Sequence, residues 1–498
     1  MQKKTKLLLA IILVGAFFLR VYRVGTVLGF YFDQGRDALV IWDLIHLHKF
    51  FLIGPTTGLP GIFRGPYYYY LIAPFYFLGR GNPTWPSAFL AFTTVFAVWL
   101  IYKLGTKIAD MTTGIIAAII GGFSFNIVIA SRWLSNPTPM MLLSMILVWG
   151  MIKVTEGKKW AWPVIATTFG LSLFSFGSSG EFFYTPALII FAIWQRKTWL
   201  NLKNFSLKGQ ATLILSIVLF VLTFAPLVLF DFKHEHILLH NFFGTFGGES
   251  GSFKFPTPDF FNGRNASYFD IFTNKIFQDR KSVEEVILVI VGIVFLVTLP
   301  KLWKNTGYKI ILLLLGSATL GLYFYQGNYG VLYDYYMTGY YLIFILLFAI
   351  ILGQIWKFKI IGKLLIIYFF YLFFMNNIPV TWAKITDGCD GPTSICFINQ
   401  RQALNWIYSD AKGQKFNVDV YVPPVIAYAY NYLLEWNSNP DLTTNQVPLL
   451  YTLYEVDPPH PERLDAWLAR QKGIGKVLDT YKTGGITVER RIRIVQKK

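Results

Sequence analysis

Two acidic residues and an arginine lie close together shortly after the first apolar run of the 498-residue chain: Asp33, Arg36 and Asp37. A carboxylate can take a proton from a hydroxyl group, and a guanidinium group keeps its charge and suits phosphate. Ionisable residues beside a membrane-spanning helix are costly, so they indicate a functional site. The alternative is an ordinary salt-bridged helix cap, in which Asp33 is the N-cap and Arg36 pairs with either acid. We favour the site.

Other polar residues stand at the ends of apolar runs on the same predicted side of the membrane. Arg20 and Arg23 end the first run, where binding of lipid headgroups is the alternative interpretation. The later ones are Arg64, Arg132, Asn136, Glu181, Asp231, His234, His236, Asp334, Tyr335 and Tyr336. Three histidines stand at positions 234, 236 and 240. We interpret them as part of a hydrated loop helix and not as the ligands of a metal ion. The four tyrosines at 67–70 favour an interfacial belt, with a sugar platform as the alternative.

The composition indicates an integral membrane protein. Hydrophobic residues make up 54% of the chain and charged residues only 14%, whereas a soluble globular protein carries about 25% charged residues. Disordered, collagen-like and disulfide-rich secreted proteins are therefore excluded, and many membrane spans are expected.

The net charge of +18 is concentrated in six short segments between apolar runs. The segments are 3–6, 103–110, 153–159, 196–208, 301–309 and 357–363. Together they hold 18 basic and two acidic residues, so the rest of the chain is nearly neutral. By the positive-inside rule they lie in the cytoplasm. Because no basic surface remains elsewhere, nucleic acid is not expected as a partner.

Eleven apolar runs predict about eleven transmembrane helices with the N-terminus inside and the C-terminus outside. The first run is interpreted as an uncleaved helix, because no small residues suitable for signal cleavage follow it. The runs are 7–24, 84–102, 111–130, 137–152, 160–178, 182–194, 211–230, 285–300, 308–325, 339–355 and 362–379.

Two domains are predicted, a transmembrane domain over 1–380 and an extracytoplasmic α/β domain over 381–498. The first outer loop, about 25–83, contains an amphipathic interfacial helix at 37–46, and a large outer loop covers about 231–284. Helices at 401–412 and 462–471 and strands at 417–423 and 485–495 are expected in the C-terminal domain. Cys389 and Cys396 form a disulfide or remain two free thiols.

Several classes of function are disfavoured by missing patterns. The chain has no P-loop, no GxGxxG nucleotide-binding pattern and no GxSxG elbow. Interior acidic residues of a proton relay or ion pump are also missing from the spans. The polar groups gather at one mouth of the bundle, which argues against alternating access.

Three motifs resemble the GT-C superfamily of membrane glycosyltransferases, in the branch of protein O-mannosyltransferases and aminoarabinose transferases (glycosyltransferase family 39-like). They are Phe-Asp-Gln-Gly-Arg-Asp-Ala at 32–38, Arg-Gly-Pro-Tyr-Tyr-Tyr-Tyr-Leu at 64–71 and Pro-Leu-Val-Leu-Phe-Asp-Phe-Lys-His at 226–234. The branch usually has Asp-Glu where this chain has Asp33 and Gln34, and many members have His where this chain has Arg64.

The resemblance implies a polytopic α-helical GT-C fold and transfer of a monosaccharide from a polyprenyl-phosphate donor to an acceptor hydroxyl, with inversion. Asp33 is expected to be the base, with Asp37 as second acid. Arg36, Arg64 and Arg132 are expected to bind the donor phosphate. Residues expected to line the substrate site are Tyr67, Tyr68, Asp231, His234 and Tyr335.

The expected partners are the lipid-linked sugar as co-substrate, membrane lipids, and an acceptor that is a lipid, a glycan or a protein. No cofactor and no divalent metal are expected, because several arginines can oppose a monophosphate leaving group. The expected location is the cytoplasmic membrane, with chemistry on its outer face. Alternatives are a transporter or flippase for a lipid-linked saccharide, a polysaccharide polymerase or ligase using a polyprenyl-diphosphate donor, and a sensor or scaffold.

Overall fold

The computed structural model describes residues 3–58, 61–199, 207–246, 252–278, 282–423 and 426–494. The first half of the chain is helical. Its helices are α1 (Lys3–Val21), α2 (Val24–Val27), α3 (Phe32–Leu47), α4 (Tyr67–Leu78), α5 (Thr84–Ile108), α6 (Met111–Phe123), α7 (Phe125–Ser131), α8 (Met140–Thr155), α9 (Ala161–Leu171), α10 (Tyr184–Trp194), α11 (Arg196–Trp199) and α12 (Leu207–Lys233).

The second half completes the helical bundle and adds a small sheet domain. Its helices are α13 (Ile237–Phe246), α14 (Pro258–Thr273), α15 (Ser282–Leu302), α16 (Thr306–Phe324), α17 (Thr338–Trp356), α18 (Lys359–Thr386), α19 (Phe397–Ala411), α20 (Tyr428–Asn437) and α21 (Pro461–Ile474). Its strands are β1 (Phe416–Tyr421), β2 (Leu449–Glu455), β3 (Gly475–Thr483) and β4 (Ile486–Arg493).

The chain is a multi-pass membrane protein. Within the described ranges, seven helices are long and apolar enough to cross a membrane. The number rises to eight if α6 and α7, which meet at a bend of 63°, form one span, and three shorter apolar helices accompany them. Each of the eleven apolar runs contains a helix, while the number of actual crossings stays a prediction.

Helix α17 lies at the centre of the bundle. Nearly all its side chains are buried, among them Tyr340, Ile345 and Ala349, and it packs against α6, α8, α15, α16 and α18. Helices α12 and α15 instead expose most of their apolar side chains at the bundle surface. In a membrane such a surface contacts lipid chains, which solvate apolar side chains as well as a protein core does.

Several of the basic segments meet at one end of the bundle. Lys107 Nζ lies 2.8 Å from the Glu156 carboxylate, and Lys357 Nζ lies 2.7 Å from that of Asp110. Helix α5 runs from this end to the opposite one, where Ser87 Oγ lies 3.2 Å from the backbone oxygen of Arg132. Its 25 residues span about 37 Å. Arg132 is therefore separated from the basic end by most of the length of α5.

The C-terminal domain is a four-stranded sheet in the order β1-β2-β4-β3, covered by helices. Strand β1 is parallel to β2, and the other pairs are antiparallel. The expected helices at 401–412 and 462–471 correspond to α19 and α21, and the expected strands to β1 and β4, although residue 495 lies outside the described residues. The sequence did not predict α20, β2 and β3. Cys389 and Cys396 are joined by a disulfide.

Candidate active site

A cavity of about 590 Å³ opens at the end of the bundle opposite the basic segments. Helices α12 and α13 contribute apolar side chains to its wall, with Asp231 as the exception. Loops and helix ends contribute most of the polar and aromatic groups: Asp33, Thr56, Thr57, Arg64, Trp133, Ser135, Asn136, Ser178, Ser179, Tyr325, Tyr335 and Tyr336. The cavity thus combines an apolar side that suits a lipid chain with polar groups that suit a headgroup.

Helix α3 begins at the acidic motif because its first turn is capped from within. Gln34 Oε1 accepts a hydrogen bond of 3.1 Å from the backbone N–H of Tyr31, which closes a capping box. The Gln34 side-chain amide also donates to the backbone oxygen of Leu134 at 3.1 Å. Gln34 stands where the family resemblance expects a second acid, and here it is buried and used for capping and loop attachment.

Asp33 is the carboxylate of the motif that faces the cavity. Its side chain is 59% exposed, and Arg36 Nη1 lies 2.9 Å from its Oδ1. The same Arg36 nitrogen donates to Thr56 Oγ1 at 2.9 Å, which attaches the motif to the first outer loop. Asp33 is therefore both held in place and accessible, as a proton acceptor must be.

Asp37 is buried behind Asp33. Its Oδ1 accepts hydrogen bonds from Arg36 Nη2 at 2.7 Å and from the Tyr69 hydroxyl at 2.9 Å. Burial raises the pKa of Asp37 to about 6, despite the opposing effect of the Arg36 guanidinium. Asp37 does not line the cavity and contacts it only through its hydrogen bond with Arg36, which also pairs with Asp33.

Arg64 differs from the other candidate arginines because it lines the cavity and its guanidinium forms no hydrogen bond or ion pair with any residue in the described ranges. Burial lowers the pKa of Arg64, while the charge of Glu181 acts in the opposite direction. A partly desolvated guanidinium without a partner favours binding of an anion.

Arg132 and Arg20 are engaged with backbone oxygens. Arg132 donates to Leu19 and Tyr22 at 2.9 Å each, and thus terminates α1. Arg20 is fully buried and donates to backbone oxygens of α1 and α6 and to a threonine of α5. Arg23 donates to the backbone oxygen of Thr386 at 2.6 Å. None of these three is among the cavity-lining residues.

The residues expected to line the substrate site divide into two groups. Tyr335 and Asp231 line the cavity, and Asp231 also caps α13 by accepting from the Leu238 N–H at 2.7 Å. Tyr67, Tyr68 and His234 do not line it. The Tyr67 hydroxyl donates to the Leu222 backbone oxygen, Tyr68 is buried in the core, and the His234 ring stacks on Phe230 at 3.9 Å.

An ion pair that the sequence did not reveal supports the tyrosines of the cavity. Lys275 is buried and donates to both oxygens of Asp334, at 2.7 and 2.9 Å. Asp334 directly precedes Tyr335 and Tyr336, and Tyr335 packs edge-on against Trp133 with ring centroids 5.9 Å apart. The pair joins residues 59 positions apart, a relation that no local pattern in the sequence signals.

Glu181 has a similar supporting role. It is fully buried, and its two oxygens accept from the backbone N–H groups of Ser178 at 2.6 Å and Gly339 at 2.7 Å. The turn that presents Ser178 and Ser179 to the cavity is thereby fixed against the start of α17. The sequence identified Glu181 as a polar group at this mouth and gave it no role.

Comparisons with known proteins agree with the fold class expected from the motifs. The sequence profile of the family described as dolichyl-phosphate-mannose-protein mannosyltransferase matches residues 63–224. The match includes Arg64, Arg132 and Glu181 and begins after α3. A search of curated proteins finds no match.

Two crystal structures of ArnT from Cupriavidus metallidurans have the same fold. The apo structure superposes with a TM-score of 0.55 at 10% identity over 97% of each chain. The structure bound to undecaprenyl phosphate superposes with a TM-score of 0.51 at 9% identity over 98% of each chain. The predicted resemblance and fold class are confirmed: the chain has an ArnT-like helical fold with a small C-terminal sheet domain.

Proposed function

We propose that the chain is a membrane glycosyltransferase that moves a monosaccharide from a polyprenyl-phosphate donor to an acceptor hydroxyl. One observation carries the proposal: a single cavity holds an accessible carboxylate, Asp33, and a guanidinium free of protein hydrogen-bonding partners in the described ranges, Arg64, beside an apolar wall. A polyprenyl-phosphate sugar has the matching parts, which are a hydrocarbon chain, a phosphate anion and a sugar.

The apolar wall is where we place the polyprenyl chain. Phe224, Leu227 and Val228 of α12 line the cavity, and α12 exposes other apolar side chains to the surrounding lipid. A donor could therefore enter from the membrane along α12 without leaving an apolar environment. A donor delivered by the membrane also suits chemistry on the outer face, where nucleotide sugars are not available.

The reaction is a single displacement. Asp33 takes the proton from the acceptor hydroxyl, whose oxygen attacks the anomeric carbon, and the bond from that carbon to the phosphate oxygen breaks. The electron pair leaves with the phosphate, where the Arg64 guanidinium stabilises the added charge. Attack opposite the leaving group inverts the anomeric configuration.

The other two arginines that were expected to bind the donor phosphate, Arg36 and Arg132, are assigned supporting roles. Arg36 pairs with both Asp33 and Asp37, so we propose that it orients the base and do not retain it as the main phosphate ligand. Arg132, whose hydrogen bonds go to α1 and the residue following it, is likewise assigned to structure. No metal ion is proposed, since a guanidinium can balance a monophosphate leaving group, and turnover should therefore be unchanged by EDTA.

Two findings on other proteins support this proposal. ArnT, whose fold the chain shares, has been solved with undecaprenyl phosphate bound. The family whose profile matches residues 63–224 is described as using dolichyl-phosphate-mannose. We propose the cytoplasmic membrane as the location, with the N-terminus inside and the cavity outside, from the positions of the basic segments.

The test is incubation of purified protein in nanodiscs with a panel of polyprenyl-phosphate sugars, followed by mass spectrometry of released polyprenyl phosphate. We expect release from at least one donor, and a loss of roughly 100-fold or more for Asp33→Asn. Movement of intact donor across vesicle membranes without release of polyprenyl phosphate would refute transfer and support a flippase.

A further inference from the structure

The helix that carries Asp33 contacts the C-terminal domain at a glycine. A Cβ atom added to Gly35 would lie 2.3 Å from the backbone nitrogen of Ala429 and 2.4 Å from the backbone carbon of Tyr428. Both are backbone atoms at the start of α20, so no rotation of a side chain can relieve the clash. Any residue larger than glycine at position 35 must separate α3 from α20.

The segment leading into α3 is also held by the C-terminal domain. Phe32 packs edge-on against Tyr428 with ring centroids 4.9 Å apart. Three hydrogen bonds cross the same interface: Phe397 N–H to Leu28 O at 2.9 Å, Gln400 Nε2 to Phe30 O at 2.8 Å and Tyr31 OH to Ile395 O at 2.8 Å. The start of α3 is thus attached on two sides.

Further along the same side, α20 contacts the turn between α4 and α5. The Tyr432 hydroxyl donates to the backbone oxygen of Gly81, and Trp436 Nε1 donates to that of Arg80 at 2.8 Å. Helix α20 therefore contacts both α3 and a turn of the transmembrane domain. These contacts link the position of α3 to that of the turn.

The contact is made away from the proposed chemistry. At 100° per residue, Gly35 lies about 200° around the helix from Asp33. No described residue of the C-terminal domain lines the cavity. Any influence of this domain on Asp33 is therefore indirect, through the position of α3 and of the segment that leads into it.

We propose that α20 positions α3, the helix that carries Asp33, and that Gly35 and Tyr432 are positioning residues for Asp33. This inference rests on the proposed transferase function. A displacement of about 1 Å in a reacting group can lower a rate by roughly 100-fold, so a forced separation at Gly35 should lower turnover without removing any group from the cavity.

The test compares Gly35→Ala with Gly316→Ala, a glycine inside α16 whose added Cβ would meet no atom within 4 Å. We expect Gly35→Ala to lower kcat by about 10- to 100-fold and to leave the affinity for polyprenyl phosphate within about twofold, since Arg64 is untouched. Gly316→Ala should resemble wild type. Tyr432→Phe, which removes only the hydrogen bond to Gly81, should lower kcat by a smaller factor and leave KM for the donor unchanged.

Hydrogen exchange of the α3 amides provides a readout that does not require turnover. We expect faster exchange in 31–47 for Gly35→Ala and Tyr432→Phe than for Gly316→Ala. Wild-type kcat in Gly35→Ala, or equal loss of polyprenyl phosphate binding and kcat in both interface variants, would overturn the inference. If wild type releases no polyprenyl phosphate from any donor, the proposed function fails, whereas faster exchange confined to the interface variants would still support the positioning contact.

Discussion

Replacing Arg64 by alanine tests which arginine binds the donor phosphate. The guanidinium lines the cavity and has no hydrogen-bonding partner among the described residues, so its loss should remove phosphate contacts and leave no protein group unpaired. Hydrogen bonds to charged groups contribute about 1.5–3 kcal/mol. At 1.4 kcal/mol per factor of ten, the Kd for a polyprenyl phosphate should rise by about 10- to 150-fold.

Equilibrium binding of a fluorescent polyprenyl phosphate to the protein in nanodiscs measures this effect. Arg64→Lys retains the charge and loses the planar fork, so it should recover only part of the affinity. Arg463→Ala, which removes an exposed charge in α21, controls for net charge and should bind as wild type.

Arg132→Lys tests whether Arg132 holds the end of α1, as we propose, or binds the donor phosphate in place of Arg64. Arg132 holds the backbone at the end of α1, so this variant should lose thermal stability and keep its Kd. Unchanged binding in Arg64→Ala together with a large loss in Arg132→Lys would refute the assignment of the phosphate to Arg64.

Three further changes test the carboxylates. Asp33→Asn should lower turnover by roughly 100-fold or more while the Kd for polyprenyl phosphate stays the same, and a wild-type rate would remove Asp33 as the base. Because the pKa of Asp37 is raised to about 6, wild-type turnover should fall as the pH drops through 6 and Arg36 loses one of its two ionised partners. Asp37→Asn should lack this acid limb, and a pH–rate profile equal to that of wild type would contradict the assignment. Burial raises the pKa of Glu455 from 4.5 to about 7, which corresponds to about 3 kcal/mol. The folded form favours the protonated acid, so thermal stability should fall as the pH rises from about 4.5 to 7. Asp37 contributes to the same dependence, so Glu455→Gln should reduce it in melting curves, and an unchanged dependence would contradict the assignment.

The helices of the bundle could be predicted because the signal for each of them, a continuous run of apolar residues, is local in the sequence. A membrane span needs about 20 apolar residues in succession, and each such run contains a helix in the structure. The C-terminal domain was harder, because its strands are short and β2 is buried on both faces, so it lacks the alternation that marks a half-exposed strand. Helix α20 is short and rich in tyrosine, and its pattern gave no helical signal.

The cavity contains some of the residues that the sequence proposed for the site and lacks others. Asp33, Arg64, Asp231 and Tyr335 were chosen for their place at one mouth of the bundle, and all four line the cavity. Arg132 was chosen on the same ground, although its guanidinium is bound to the backbone at the end of α1. Sequence position defines which end of a helix a side chain occupies, and only the packing of neighbouring helices decides which way it points.

The role of Gly35 illustrates the same limit. The motif shows a glycine inside a helix, which weakens a helix by about 1 kcal/mol, and offers no reason for it. The reason lies in residues 428–429, nearly 400 positions away. Contacts at that separation have no signature in a single sequence.

The most direct test of the proposed chemistry is a structure of the protein with a polyprenyl phosphate bound. We predict that a phosphate oxygen lies about 2.8 Å from the Arg64 guanidinium, that the polyprenyl chain runs along α12, and that Asp33 faces the phosphate across space sufficient for a sugar. A phosphate held by Arg132 or Arg20, or located outside the cavity that contains Asp33, would contradict the account.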